Sequence, residues 1–148
     1  MAMSISAKLR AGVATGSAAE TQELAAALTA ELPADVTLAL HGDLGAGKTT
    51  FVQGLARGLG ITEAVTSPTF NLYRLYAPVA GGRQLAHLDA YRLDRPGQAE
   101  ALLLEDFLVS PYCLAIEWPE KIAGWIPQDA WHLELALGEG GRHTLRLR

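Results

Sequence analysis

The chain has 148 residues, 49% hydrophobic and 19% charged, enough for one domain with a substantial core and too apolar for an extended disordered chain. Twelve Lys and Arg oppose sixteen Asp and Glu, a net charge of −4 with no basic stripe, which argues against an autonomous grip on a nucleic-acid backbone. No apolar run reaches the roughly 18 residues of a membrane span, and the lone Cys113 excludes an intramolecular disulfide framework.

Met1 to Gly16 is small and polar, and the expectation is that it frays. Met1 to Arg10 lacks a signal-peptide core, so the expected location is the cytoplasm. Ser17 opens a helical pattern with Leu24, Leu28 and Leu32 at intervals of four, and Ser17 with Glu20 suits a capping box. Pro33 ends that helix. Val36 to Leu40 reads as a buried strand. A glycine-rich stretch, Gly42 to Gly47, follows, and then a helix from Lys48 to about Leu59 with Phe51, Leu55 and Leu59 on one face.

Phe70 to Tyr76 alternates like a strand, Ala80-Gly81-Gly82-Arg83 makes a hairpin-like turn, and Gln84 to Ala90 is the returning strand. Pro96-Gly97 breaks the chain before a helical pattern over Gln98 to Phe107. Tyr112 to Ile116 is a second fully apolar strand that runs into Glu117, and burial is the expectation for Cys113 within it. Trp131 to Leu137 and Thr144 to Leu147 alternate as two late strands around the Gly138 to Gly141 turn. Together these elements predict a single α/β domain with a mixed, mostly parallel sheet flanked by helices.

Gly42-Asp43-Leu44-Gly45-Ala46-Gly47-Lys48-Thr49 fits the phosphate-binding pattern G-x-x-x-x-G-K-[ST], which arises by chance in roughly 3 of 1,000 chains of this length and composition. Glycines let backbone N–H groups turn inward around phosphates, and the following helix presents its positive end. Lys48 would place a charge at the β- and γ-phosphates of a nucleotide, and the Thr49 hydroxyl would ligate Mg²⁺. The motif lies between a predicted strand and a predicted helix, the context that gives it meaning.

A phosphotransfer site also needs a carboxylate for the metal and a group that positions the nucleophile. Glu117 and Asp89 each end a predicted strand and are the two candidates, with periodicity alone unable to divide the roles between them. Ser67, Pro68 and Thr69 stand where many P-loop proteins carry a segment sensing the γ-phosphate. His87 reads as a strand histidine rather than a base, and Trp118 as core packing or a wall of the nucleotide site.

In combination, the stretch Gly42 to Thr50, Ser67-Pro68-Thr69-Phe70, His87 to Leu93, and Glu117-Trp118-Pro119 resembles the bacterial TsaE family, with Thr21-Gln22 similar to that family's beginning. The resemblance implies a P-loop ATPase, using ATP and Mg²⁺, that assists the TsaD and TsaB proteins as they make threonylcarbamoyladenosine at tRNA position 37. By position it implies nucleotide contacts from Gly42 to Thr50, with Thr21 and Trp118, and phosphate contact by Lys48. It implies Mg²⁺ ligation by Thr49 and Glu117, a carboxylate needed for hydrolysis at Asp89, and a switch-like segment over Ser67, Pro68 and Thr69. The tRNA would then be held by the partner complex, in keeping with the acidic chain. Two other uses of the loop stand beside this one: a small-molecule kinase and a non-catalytic nucleotide-sensing module.

Overall fold

The computed structural model describes residues 3–68, 72–77 and 82–148. Seven strands form one sheet: β1 Val13–Thr15, β2 Val36–His41, β3 Tyr73–Tyr76, β4 Gln84–Asp89, β5 Tyr112–Glu117, β6 Trp131–Leu137 and β7 His143–Leu147. Among the described residues four α-helices accompany them: α1 Ile5–Ala11, α2 Ala18–Leu28, α3 Lys48–Gly58 and α4 Pro96–Ala101. Strand order is β1-β7-β6-β2-β5-β4-β3. The central four, β6, β2, β5 and β4, run parallel, and the flanking pairs β1–β7, β7–β6 and β3–β4 are antiparallel. None of the helices is long and apolar enough to cross a membrane, among the described residues.

The central strands read as unbroken apolar runs because both sheet faces are covered. One face carries Leu38, Leu40, Leu85, Cys113 and Ala115, packed against Leu28 of α2 and Phe51, Val52 and Leu55 of α3. The other carries Ala86, Leu88, Leu114 and Ile116 under Ala99, Leu104 and Ile122. Cys113 is fully buried, and burial pushes its thiol up to about 12. Helices α2 and α3 approach closely at Gly54, where an added Cβ would lie 2.5 Å from Gln22 O.

The segment expected to fray is structured from residue 4 onward. Ser4 caps α1, Leu9 is fully buried, and β1 pairs with β7. The reason is non-local: the Glu31 carboxylate accepts from Ile5 N, Ser6 N and the Ser6 hydroxyl, satisfying the free donors at the start of α1. The capping box forms in part. Ser17 Oγ accepts from Glu20 N, but the Glu20 carboxylate reaches Gly16 N instead of Ser17 N. The helix expected over Gln98 to Phe107 ends at Ala101, because Leu103 takes a left-handed backbone (φ +55°) and a 3-10 turn follows over Leu104–Asp106. Of the hairpin before β4, Tyr73 to Tyr76 and Gln84 to Asp89 pair as expected, while Phe70, Ala80 and Gly81 lie outside the described residues.

Candidate functional site

The carboxyl ends of β2, β4 and β5 meet at one edge of the sheet, the place where open parallel sheets bind ligands. Past His41 the backbone turns at Gly42 (φ +152°), so close beneath β6 that a Cβ there would sit 2.4 Å from Leu135 O. Gly47 adopts φ +100° as the residue before α3 and supplies no capping side chain, so the first N–H groups of this eleven-residue helix are free of a side-chain cap.

Lys48 is 5% exposed. Its Nζ donates to Gly42 O at 2.6 Å and lies 3.6 Å from the centre of the Trp118 ring. Burial lowers its pKa, while the charges of Glu117, Glu120, Asp89 and Asp43 act in the opposite sense without cancelling the shift.

One residue further, the Thr49 hydroxyl donates to Glu117 Oε2 at 3.1 Å. The same oxygen lies 2.5 Å from His87 Nε2. Burial would raise the Glu117 pKa, but the hydrogen bond and charge of His87, the Thr49 hydroxyl and the Lys48 charge outweigh it, so the carboxyl titrates below its ordinary value. Asp89 is the register partner of Glu117 on β4, which brings the two strand-end carboxylates side by side. Asp89 Oδ1 accepts from Tyr91 N at 3.0 Å, closing a local turn.

Leu44, Gly45, Gly47, Lys48, Thr49, Thr50, Ser67, Asp89, Glu117 and Trp118 line a single cleft of about 480 Å³. Gly42, Asp43 and Ala46 shape the turn behind it, with Ala46 N donating to Asp43 O. Pro68 is buried, and Thr69 lies outside the described residues. Thr21 is not brought to the cleft: it is 2% exposed and its hydroxyl is 2.6 Å from that of Thr15, spending its polarity inside the fold. Trp118 is a wall of the cleft, held there by a left-handed backbone (φ +57°) and by the Tyr91 ring at 5.2 Å between centroids.

One cleft residue escapes the sequence reading. His143, at the start of β7, lines the cleft and places Nδ1 3.0 Å from Ala46 O. It carries no motif; only the antiparallel return of β7 beside β6 delivers it, and no local signal announces that. His87 is likewise more than the strand histidine it reads as, since one of its ring nitrogens engages Glu117.

The donor set fits a magnesium nucleotide. Mg²⁺ in such sites takes one or two protein oxygens and completes its shell with phosphate and water. Thr49, in the first turn of α3, and Glu117, at the end of β5, would offer such an ion two adjacent oxygens, and no larger cluster of His, Cys, Asp or Glu is assembled among the described residues.

The family model described as threonylcarbamoyl adenosine biosynthesis protein TsaE matches residues 15–144. A Nostoc protein named tRNA threonylcarbamoyladenosine biosynthesis protein TsaE is 42% identical over 125 residues, 82% of this chain and 75% of that one. A Bacillus subtilis protein of the same name is 40% identical over 109 residues, covering 74% and 65%. The crystal structure of Bacillus subtilis YdiB superimposes with a TM-score of 0.72 at 33% identity, over 90% of this chain and 81% of that one.

Proposed function

Because the chain belongs to the TsaE family of threonylcarbamoyl adenosine biosynthesis, we propose that it is an Mg²⁺-dependent ATPase of the cytoplasm. It acts as an accessory of the TsaD–TsaB complex that makes threonylcarbamoyladenosine at tRNA position 37. The observation that carries the reading is the hydrogen bond from Thr49 to Glu117, which joins the phosphate loop to the end of β5 where a metal-binding carboxylate belongs.

The residues divide the work by chemistry. The N–H groups of the loop and of the first turn of α3 bind phosphate oxygens, and Lys48 supplies a positive charge beside them. Thr49 and Glu117 hold the metal, which when bound neutralises charge on the transferring phosphate. Asp89, the more exposed carboxylate, orients the attacking water and accepts its proton as it adds to the γ-phosphorus and ADP leaves. His87 occupies one Glu117 oxygen and so favours Glu117 as holder over Asp89. With a net charge of −4, the chain is suited to leave the tRNA to its partners.

The test is the ATPase rate of the purified chain with and without TsaD–TsaB, measured beside tRNA modification. The expected result is slow hydrolysis alone, acceleration by the partners, and loss of ATP binding in Lys48→Ala. Rapid hydrolysis that partners do not change would overturn the accessory role. Label from ATP appearing on a metabolite would replace hydrolysis with kinase chemistry, and unimpaired modification with Asp89→Ala and Glu117→Ala chains that still bind ATP would leave only nucleotide sensing.

A further inference from the structure

His87 lies two residues before Asp89 on β4, on the sheet face that carries Leu85, Ala115 and Glu117. It is fully buried. Nε2 lies 2.5 Å from Glu117 Oε2, and Nδ1 meets no hydrogen-bond partner among the described residues. A buried imidazole with one unpaired nitrogen carries an uncompensated desolvation cost, so packing alone does not account for a histidine here; an apolar side chain would fill the space without that cost.

What the histidine supplies is a donor. Facing a carboxylate oxygen, which accepts, Nε2 carries a hydrogen and donates it. Oε2 accepts from Thr49 as well, so two donors from two different elements converge on one oxygen. That arrangement fixes the rotation of a glutamate that otherwise has three free torsions, and among the described residues leaves Oε1 as the oxygen with unused lone pairs.

We propose that His87 is a positioning residue that sets the orientation of Glu117, and through the shared oxygen that of Thr49, toward a divalent cation in the cleft. The inference rests on the Mg²⁺–nucleotide reading of that cleft. Mg²⁺ tolerates little departure from octahedral geometry, and partners that orient metal ligands are typically worth 10- to 100-fold in metal affinity.

The test compares His87→Gln, His87→Asn and His87→Leu with the unmodified chain. Glutamine carries an amide donor at about the reach of Nε2, asparagine only at about the reach of Nδ1, and leucine none. Binding of a fluorescent ATP analogue is titrated with Mg²⁺ and, separately, measured in EDTA, where no metal ligation contributes. His87→Leu and His87→Asn are expected to raise the half-saturating Mg²⁺ concentration by about tenfold or more, with EDTA binding changed by less than about twofold, and His87→Gln to recover most of the loss.

An unchanged Mg²⁺ requirement in His87→Asn overturns the proposal, as does equal loss of binding with and without metal, or a His87→Gln chain no better than His87→Asn. If His87→Leu does not fold, the Gln and Asn variants decide alone, each checked by its thermal melt. Failure of the unmodified chain to show any Mg²⁺ dependence would instead remove the underlying reading of the cleft.

Discussion

The Lys48 ammonium rests over the face of Trp118, 3.6 Å from the ring centre, while donating to the carbonyl of Gly42 at its own loop's start. The indole thus shields a desolvated cation that has no carboxylate partner within ion-pair distance among the described residues. A cation over an indole gains about 0.5–2 kcal/mol. Trp118→Ala is therefore expected to weaken ATP binding by about two- to thirtyfold, with Trp118→Phe in between. Nucleotide binding is also expected to change the tryptophan emission, and this change should vanish in Trp118→Phe although Trp125 and Trp131 remain. A persistent emission change in Trp118→Phe would show that the indole does not wall the nucleotide.

His143 braces the loop from the opposite side. Its Nδ1 contacts Ala46 O, and its ring lies 3.4 Å from where a Cβ on Gly47 would stand. Loss of one such hydrogen bond costs about 0.5–1.5 kcal/mol, so His143→Ala should reduce nucleotide affinity by about two- to tenfold through a looser loop. His143→Asn, which retains a donor near the Nδ1 position, should recover part of it. Isothermal titration of ATP checks the pair; equal affinities in all three chains would mean that β7 does not support the loop.

The contrast between these residues explains what was legible in the sequence. Lys48, Thr49, Asp89 and Glu117 were readable because each sits at the boundary of a local pattern, a glycine loop or the end of an apolar strand, and local patterns survive in one dimension. The parallel core was readable for the same reason, since strands covered on both faces leave unbroken apolar runs such as Leu114-Ala115-Ile116. His143 and α1 were not. The first reaches the loop across 97 positions, and the second depends on Glu31 for its N-terminal donors and on Leu9 for its burial. Thr21, singled out by the resemblance alone, faces Thr15 in the core.

Gly54 offers a test of helix packing whose sign is diagnostic. On a free helix surface, Gly→Ala stabilises by about 1 kcal/mol through propensity. Here the new methyl would lie 2.5 Å from Gln22 O, 2.6 Å from Gln22 Cα and 2.8 Å from Ala25 Cβ, all on α2. Overpacking of this kind costs about 1–3 kcal/mol. Gly54→Ala is expected to lower the urea midpoint with an unchanged slope, whereas a raised midpoint would mean that α2 and α3 can move apart freely.

Glu117 links the site to acid stability. Its carboxyl, held below the ordinary value of 4.5 despite burial, owes that depression to His87, Thr49 and Lys48. A carboxylate with a depressed pKa contributes stability that is fully present above its unfolded value and is lost as pH falls through the folded one. The contribution should therefore be constant from neutral pH down to about 4.5 and decline below it. Glu117→Gln removes the titration while keeping the shape. The unmodified chain should be the more stable of the two at neutral pH, and the gap between their urea midpoints, followed from pH 7 to pH 3 without nucleotide, should narrow only in the acid range below about 4.5. A gap that stays constant over the whole range would mean that the contacts of Glu117 do not favour its charged form. The carboxylate would then have to be fixed in place by packing, and not by the donors that converge on Oε2.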